Sequence, residues 1–179
     1  PLFARKIVAD TEVCDMTDTR TSKENYYLGI ADAVLDRSTC MRRKYGAIIV
    51  RNDEIISTGY NGAPRGRQNC STVGFCTRDY LDIPSGERYE LCRSVHAEAN
   101  AIISAARRDM LGATLYLVGR DAKTGELLRD TMPCSMCKRL IINAGITQVV
   151  ASTGEGEYVV IHVRDWVTDD ESVPKIPRP

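Results

Sequence analysis

The chain has 179 residues, and its 24 Lys and Arg side chains balance 24 Asp and Glu side chains. This length favours one domain with a hydrophobic core that needs no disulfide staples. The zero net charge argues against a large electrostatic surface for nucleic acid, and no apolar run approaches the length of a membrane span. We expect a single domain over residues 1–179, with an N-terminal arm at 1–20, a core over about 21–152 and a flexible tail over about 168–179.

The chain also contains seven cysteines. Their number is odd, and residues 1–15 lack the charged-then-apolar order of a secretion signal. Metal binding is therefore favoured over a disulfide framework, and we predict a reducing, cytoplasmic setting. The cysteines are Cys14, Cys40, Cys70, Cys76, Cys92, Cys134 and Cys137.

The first half of the chain predicts a short strand or arm, a helix and a hairpin. Apolar residues recur at helical spacing over Thr21–Arg37, and Thr21 with Glu24 fits a capping box. Two apolar runs around a polar turn then indicate a β-hairpin. Its predicted strands are Gly46–Val50 and Glu54–Tyr60, and its turn is Asn52–Asp53.

Asn61–Gly86 has little periodicity and contains two cysteines. A structureless loop of this length is uncommon in a compact domain unless function or a clamp explains it, and a metal is the expected clamp. A helix is predicted next, over Val95–Arg108, with one apolar side. That side consists of Ala99, Ile102, Ile103 and Ala106.

The second half of the chain predicts alternating strands and helices. Strands are expected at Ala113–Val118 and Gln148–Ala151, with an edge strand at Tyr158–Val163. The helix between them is expected over Pro133–Ala144, with Pro133 at its first position and Gly145 just past its end. This order predicts a mixed sheet with helices packed against it, and a crevice where the two helix starts meet.

Two separated motifs indicate metal chemistry. His96-Ala97-Glu98 opens one predicted helix, and Pro133-Cys134-Ser135-Met136-Cys137 opens another. A catalytic zinc keeps three protein ligands and leaves one position for water, and a nearby Glu can move the protons of that water. Zinc-dependent nucleobase deaminases carry this pattern of H-x-E followed by P-C-x-x-C. We assign His96, Cys134 and Cys137 as ligands of a catalytic zinc and Glu98 as the proton shuttle.

Other interpretations of these cysteines stay open. A C-x-x-C motif alone also occurs in structural zinc sites and redox proteins, and H-A-E is what favours catalysis here. The remaining thiols fit a second, structural zinc, since four thiolates make a closed tetrahedral site. The alternative is that they are free buried cysteines, which are common in protein cores. This second set is Cys40, Cys70, Cys76 and Cys92.

The sequence resembles the cytidine and deoxycytidylate deaminase superfamily from about Tyr26 to Ala151. Gly59-Tyr60-Asn61-Gly62-Ala63-Pro64 is similar to the G-Y-N-G-x-P stretch of deoxycytidylate (dCMP) deaminases. His96–Ile102 resembles their H-A-E-x-N-A-I helix, and Ile141–Ile146 resembles the stretch after their C-x-x-C. The resemblance implies an α/β fold of the cytidine-deaminase type: three layers, α/β/α, with a mixed central sheet of about five strands.

The resemblance also implies an activity and its site residues. The reaction would be hydrolysis of dCMP to dUMP and ammonia, which supplies dUMP for thymidylate synthesis. Asn61 would hold the deoxyribose hydroxyl, and the Ala97 backbone would contact the pyrimidine. Arg37 and Ser38 would bind the 5′-phosphate.

Regulation is implied as well. The family is commonly hexameric, activated by dCTP, which would be accompanied by Mg²⁺, and inhibited by dTTP. The effector site would involve Gly62, Ala63 and Pro64. Two departures matter: the long Gly119–Thr131 segment, and the second cysteine set, which resembles only a subset of the family.

Three alternatives remain at this stage. A deaminase acting on a base in tRNA or single-stranded DNA would need a basic, aromatic-lined surface, and its best basic candidates are Arg42, Arg43, Lys44, Arg65 and Arg67. A deaminase of free cytidine is disfavoured by the Asn61 motif. A non-catalytic zinc module that binds nucleotides is disfavoured by the presence of Glu98.

Overall fold

The centre of the protein is a mixed β-sheet. The structure is a computed structural model that describes residues 7–8 and 20–170. Its six strands have the order β1-β6-β5-β4-β2-β3, and only β4 and β5 pair in parallel. In chain order the strands are β1 (Ile7–Val8), β2 (Arg43–Arg51), β3 (Glu54–Tyr60), β4 (Thr114–Asp121), β5 (Gln148–Gly154) and β6 (Glu157–His162).

Helices cover both faces of this sheet. The helices after α1 (Lys23–Leu35) are α2 (Cys70–Val73), α3 (Thr77–Tyr80), α4 (Ala97–Ile103), α5 (Arg107–Met110), α6 (Ser135–Ala144) and α7 (Val163–Thr168). Among the described helices, α1 packs alone on one face, where its Ala31 and Leu35 meet Ile48 of β2. The other face carries α4, α5, α6 and α7 over a second apolar core. The predicted three-layer α/β/α fold is confirmed, and the two-residue β1 extends the expected five strands to six.

The predicted hairpin is confirmed, and its turn explains its register. Asn52 and Asp53 both have positive φ, 51° and 67°, which matches the twist of a two-residue hairpin loop. The predicted helix after the arm is also present, but its cap differs by one residue. Ser22, not Thr21, is the N-cap, because its hydroxyl accepts from the Asn25 N–H at 3.3 Å.

Two glycines let helices touch the sheet backbone. A Cβ on Gly46 would lie 2.1 Å from the Ala31 carbonyl oxygen of α1. A Cβ on Gly59 would lie 2.3 Å from both the Ala97 carbonyl oxygen and the Ala101 nitrogen of α4. Gly59 therefore sets how closely the start of α4 approaches β3.

Several predicted boundaries were wrong. The Asn61–Gly86 segment contains α2 and α3 instead of being structureless. The predicted helix at Val95–Arg108 is two helices, because the Ser104 hydroxyl donates to the Asn100 carbonyl and ends α4 near Ile103, whose side chain is exposed.

Further differences concern the second half of the chain. Pro133 lies outside α6, because Cys134 is the N-cap and keeps an extended ψ of 167°. Strand β6 is not at the sheet edge, since β1 pairs with Val159 and Tyr158. It also ends at His162, and Val163 starts α7, which was not predicted.

Some predictions concern residues that the structure does not describe. Cys14, most of the N-terminal arm and residues 171–179 of the tail lie outside the described residues. Within the described part, no helix is long and apolar enough to cross a bilayer.

Candidate active site

The two metal motifs meet at the starts of neighbouring helices. His96 is the N-cap of α4, Cys134 is the N-cap of α6, and Cys137 lies in the first turn of α6. Both caps have extended backbones, which turn their side chains away from the helix axes toward the gap between the helices. The predicted juxtaposition of the two helix starts is therefore present.

The geometry of these three side chains suits one zinc ion. His96 Nδ1 lies 3.4 Å from Cys134 Sγ and 3.5 Å from Cys137 Sγ, and the three ligand atoms all lie within 4.8 Å of one another. A tetrahedral zinc with bonds of about 2.0 Å to nitrogen and about 2.3 Å to sulfur would separate those atoms by roughly 3.5 Å. The donor set leaves a fourth position for water, as a catalytic site requires.

The thiols of this cluster differ in acidity. Hydrogen bonds from Cys137 and His96 lower the pKa of Cys134 to about 4, despite its partial burial. The hydrogen bond with Cys134, together with burial, raises the pKa of Cys137. A thiolate at a helix start is the form that binds metal.

Glu98 follows the cluster in the first turn of α4. Its side chain is 4 % exposed, and this burial raises the pKa of the carboxyl. A carboxyl with a raised pKa can both accept and release a proton near neutral pH. Glu98 lines the same cavity as His96 and Cys134.

Asn61 is buried at the end of β3 and organises the cavity wall. Its Oδ1 accepts from the Ser38 hydroxyl at 2.5 Å and the Tyr45 N–H at 2.8 Å, and its Nδ2 donates to the Arg43 carbonyl at 2.9 Å. These bonds fix the amide plane. The side chain still lines the cavity, so one Nδ2 hydrogen can face a ligand.

The sequence-predicted substrate residues divide into two groups. Asn61 and Ala97 line the cavity together with Glu98. Arg37 is exposed and Ser38 is buried beneath Asn61, and neither lines it. Arg42 and Arg43, which the sequence offered as basic candidates, do line it.

The second cysteine set lies at the other end of the same cavity. All four of its thiols line the wall, and burial raises the pKa of Cys70 and Cys92. Within the described residues, the His96 cluster is the only group of potential ligands that is already at metal-binding spacing. The second set comprises Cys40, Cys70, Cys76 and Cys92, and its zinc remains a prediction.

Arg78, Tyr89 and Met132 are among the cavity residues that the sequence analysis missed. Arg78, in α3, and Tyr89, in a short 3₁₀ helix, lie in segments whose sequence shows no motif. Met132 also lines the cavity and directly follows the long Gly119–Thr131 segment, which places that segment beside the site. No sequence signal pointed to Arg78 or Tyr89.

Two of the predicted effector residues, Gly62 and Pro64, lie near the segment that contains Cys92 and Val95. Gly62 pairs with Val95 through two backbone hydrogen bonds of 3.2 and 2.8 Å. Pro64 lines a second pocket together with Arg67, Arg93 and the acidic Glu90.

The chain is similar in sequence to a known protein family and to several of its members. The family model for the cytidine and deoxycytidylate deaminase zinc-binding region matches residues 21–153. The chain is 39% identical over 137 residues to the deoxycytidylate deaminase of Mycobacterium phage D29, covering 74% of this chain and 95% of that protein. It is 37% identical to the deoxycytidylate deaminase of Saccharomyces cerevisiae over 149 residues, which cover 82% of this chain but 43% of the yeast protein. The chain thus spans less than half of that longer relative.

Solved structures are similar as well. The apo dCMP deaminase of cyanophage S-TIM5 has a TM-score of 0.50 at 27% identity, with 72% of this chain and 80% of that chain covered. The cytidine deaminase of Burkholderia pseudomallei has a TM-score of 0.52 at 21% identity, with 81% and 95% covered, and this likeness concerns the fold alone.

Proposed function

Since this chain belongs to the family defined by the cytidine and deoxycytidylate deaminase zinc-binding region, we propose that it hydrolyses dCMP to dUMP and ammonia, supplying dUMP for thymidylate synthesis. The observation that carries the proposal is the His96, Cys134 and Cys137 cluster at zinc spacing with buried Glu98 in the same cavity. The phage relative that supports dCMP as substrate is matched over nearly its whole length.

The chain's own residues supply the rest of the chemistry. Zinc, when bound, provides the Lewis acidity that makes water nucleophilic near neutral pH. Glu98 accepts a proton from the attacking water and delivers it to N3 of the cytosine ring as C4 is attacked. Glu98 then takes the proton of the new C4 hydroxyl and passes it to the amino group, so that the C4 carbonyl forms as the C4–N bond breaks and ammonia leaves.

Substrate binding is proposed around Glu98. The free Nδ2 hydrogen of Asn61 would bind the deoxyribose hydroxyl, and the Ala97 backbone would contact the pyrimidine. Arg37 and Ser38 remain the residues proposed for the 5′-phosphate on the family resemblance, with Arg43 as a cavity-lining cation that supports the phosphate.

Glu98→Gln tests the proposal. The variant should keep its zinc and bind dCMP but lose roughly 10²–10⁴-fold in kcat, the usual contribution of a general acid–base group. Ammonia release would be measured with dCMP, CMP, deoxycytidine and a single-stranded oligonucleotide. Normal turnover of dCMP by the variant would refute the mechanism, and no ammonia from any substrate with wild type would favour a binding module.

A structural zinc on the second cysteine set is also proposed. Its support is that four thiols line one end of the cavity. The free thiols in the described residues also support a reducing, cytoplasmic location. Zinc analysis should find about two ions per chain, whereas one ion would leave only the catalytic metal.

Regulation and assembly belong to the proposal too. We propose that dCTP with Mg²⁺ activates the enzyme and dTTP inhibits it through Gly62, Ala63 and Pro64, supported by the cationic side chains beside Pro64. A homohexamer is proposed as well. Exposed apolar side chains on the outer helices support this assembly, and they are Ile103, Met136, Leu140 and Val167.

A further inference from the structure

Two arginines in the cavity wall have buried N–H groups without acceptors. Among the described residues, Arg42 Nη1 and Arg78 Nε are the only buried side-chain nitrogen or oxygen atoms that lack a hydrogen-bond partner. Such a donor is costly to leave unpaired, especially on a charged group. A hydrogen-bond acceptor bound close to both arginines would remove this cost.

Both arginines brace the segment that carries Cys76. Arg42 pairs with Asp79 at 2.8 Å and donates to the Ile83 carbonyl at 3.2 Å. Arg78 donates through Nη2 to the Pro84 carbonyl at 2.7 Å. Both arginines line the cavity that the four thiols also line, and Arg78 lies two residues after Cys76.

Arg78 also reaches the catalytic end. Its guanidinium lies 4.6 Å from the centre of the Tyr89 ring, and that ring meets the His96 ring edge-on at 4.7 Å. Arg78 itself is 7 % exposed, so the contact with Tyr89 is desolvated and correspondingly strong. Buried Arg78 therefore contacts Tyr89, and Tyr89 in turn packs against His96 and limits the motion of its ring.

We propose that Arg78 is a positioning residue that couples the two ends: its orphan N–H donates to a thiolate sulfur of the zinc site on Cys40, Cys70, Cys76 and Cys92, while its guanidinium holds Tyr89 against His96. The inference rests on the second zinc proposed above. Zinc with four thiolates carries a net charge of −2, and a buried charge of that size needs a cation and N–H donors around its sulfurs.

A nucleotide phosphate is the competing acceptor. It would enter from solvent, but both orphan nitrogens are shut off from solvent. Arg78 is also packed between Tyr89 and the Pro84 carbonyl, which leaves its unpaired donor little freedom to meet a mobile ligand. The thiolate acceptor is therefore favoured.

Arg78→Gln in the full chain tests the coupling. Zinc content would be measured by mass spectrometry, zinc release by a colorimetric chelator, and kcat and KM by ammonia release from dCMP and deoxycytidine. We expect one of two zinc ions to leave about 10–100-fold faster than in wild type, and kcat for dCMP to fall about tenfold with KM nearly unchanged. Arg78→Lys should restore only part of both effects, because Lys keeps the charge but lacks the planar donors.

Arg88→Gln is the matched control, because Arg88 is exposed and pairs only with Glu90. It should behave as wild type. Wild-type zinc release from Arg78→Gln would overturn the inference. A higher KM for dCMP with unchanged kcat and unchanged KM for deoxycytidine would instead assign Arg78 to the phosphate. A single zinc in active wild-type protein would also overturn the inference and leave the deaminase function standing.

Discussion

The two ends of the cavity are built from different kinds of backbone. At the His96 end, the candidate ligands lie at the starts of α4 and α6, which pack on the sheet, and they stand at zinc spacing. At the Cys70 end, the thiols lie on short helices and connecting segments, and they line a wall without closing to that spacing. Regular elements therefore preorganise the first site, whereas a zinc at the proposed second site would have to draw its ligands together.

Replacing one ligand at each end should give the largest contrast. Cys134→Ala should lose the catalytic zinc and reduce ammonia release to background, because two protein ligands hold zinc poorly. Cys40→Ala should keep one zinc and a kcat within about 100-fold of wild type. Zinc analysis and ammonia release would check both, and equal loss of activity in the two variants would contradict the difference between the ends.

Removing zinc should loosen the 61–86 segment near the second cysteine set more than it loosens the sheet and α6. With a strong chelator, trypsin should cut faster at Arg65 and Arg67, which are exposed and lie in the segment that the second site would clamp. The sheet and α6 should resist cleavage, since their core does not depend on metal. Limited proteolysis followed by mass spectrometry would show this, and unchanged cleavage in the 61–86 segment would argue against a metal clamp.

Gly59→Ala should test how the His96 end is preorganised. The new Cβ would meet the backbone of α4, so we expect a loss of about 1–3 kcal/mol in the free energy of unfolding and weaker zinc retention. Gly29→Ala on α1 is the control: nothing lies within 4 Å of its Cβ, and Ala favours the helix by up to about 1 kcal/mol. Urea unfolding would measure both, and equal stability of the two variants would contradict the close-approach explanation.

The face of the sheet that α1 covers contains two tyrosines, and their ionisation should change the stability by a small amount that does not depend on metal. The hydrogen bond to Asp53 and burial raise the pKa of Tyr27 to about 12, and burial raises that of Tyr116 to about 12. Because these folded-state pKa values exceed the unfolded value of about 10, stability is fully present below pH 10 and is lost as the pH rises toward 12. Urea unfolding from pH 9 to 12 should show this fall, and Tyr27→Phe should make it shallower; an identical slope in the variant would refute the assignment.

Sequence reasoning located the elements better than their ends. The long periodic helix α1 and the Asn-Asp hairpin carried strong local signals, and both are present. The break between α4 and α5 was missed, because the apolar periodicity continues through it while the Ser104 hydroxyl redirects the backbone. The short helices near Cys70 have too few residues to show a pattern.

The sequence alone determined the ligand chemistry of this protein. His96, Glu98, Cys134 and Cys137 could be chosen from two short motifs, because each motif opens a helix and fixes its residues locally. Only the tertiary structure decided what surrounds them. Tyr89 contacts His96 and Arg78 contacts Tyr89, both from short helices whose sequence shows no motif. Such contacts depend on packing, which local sequence does not record.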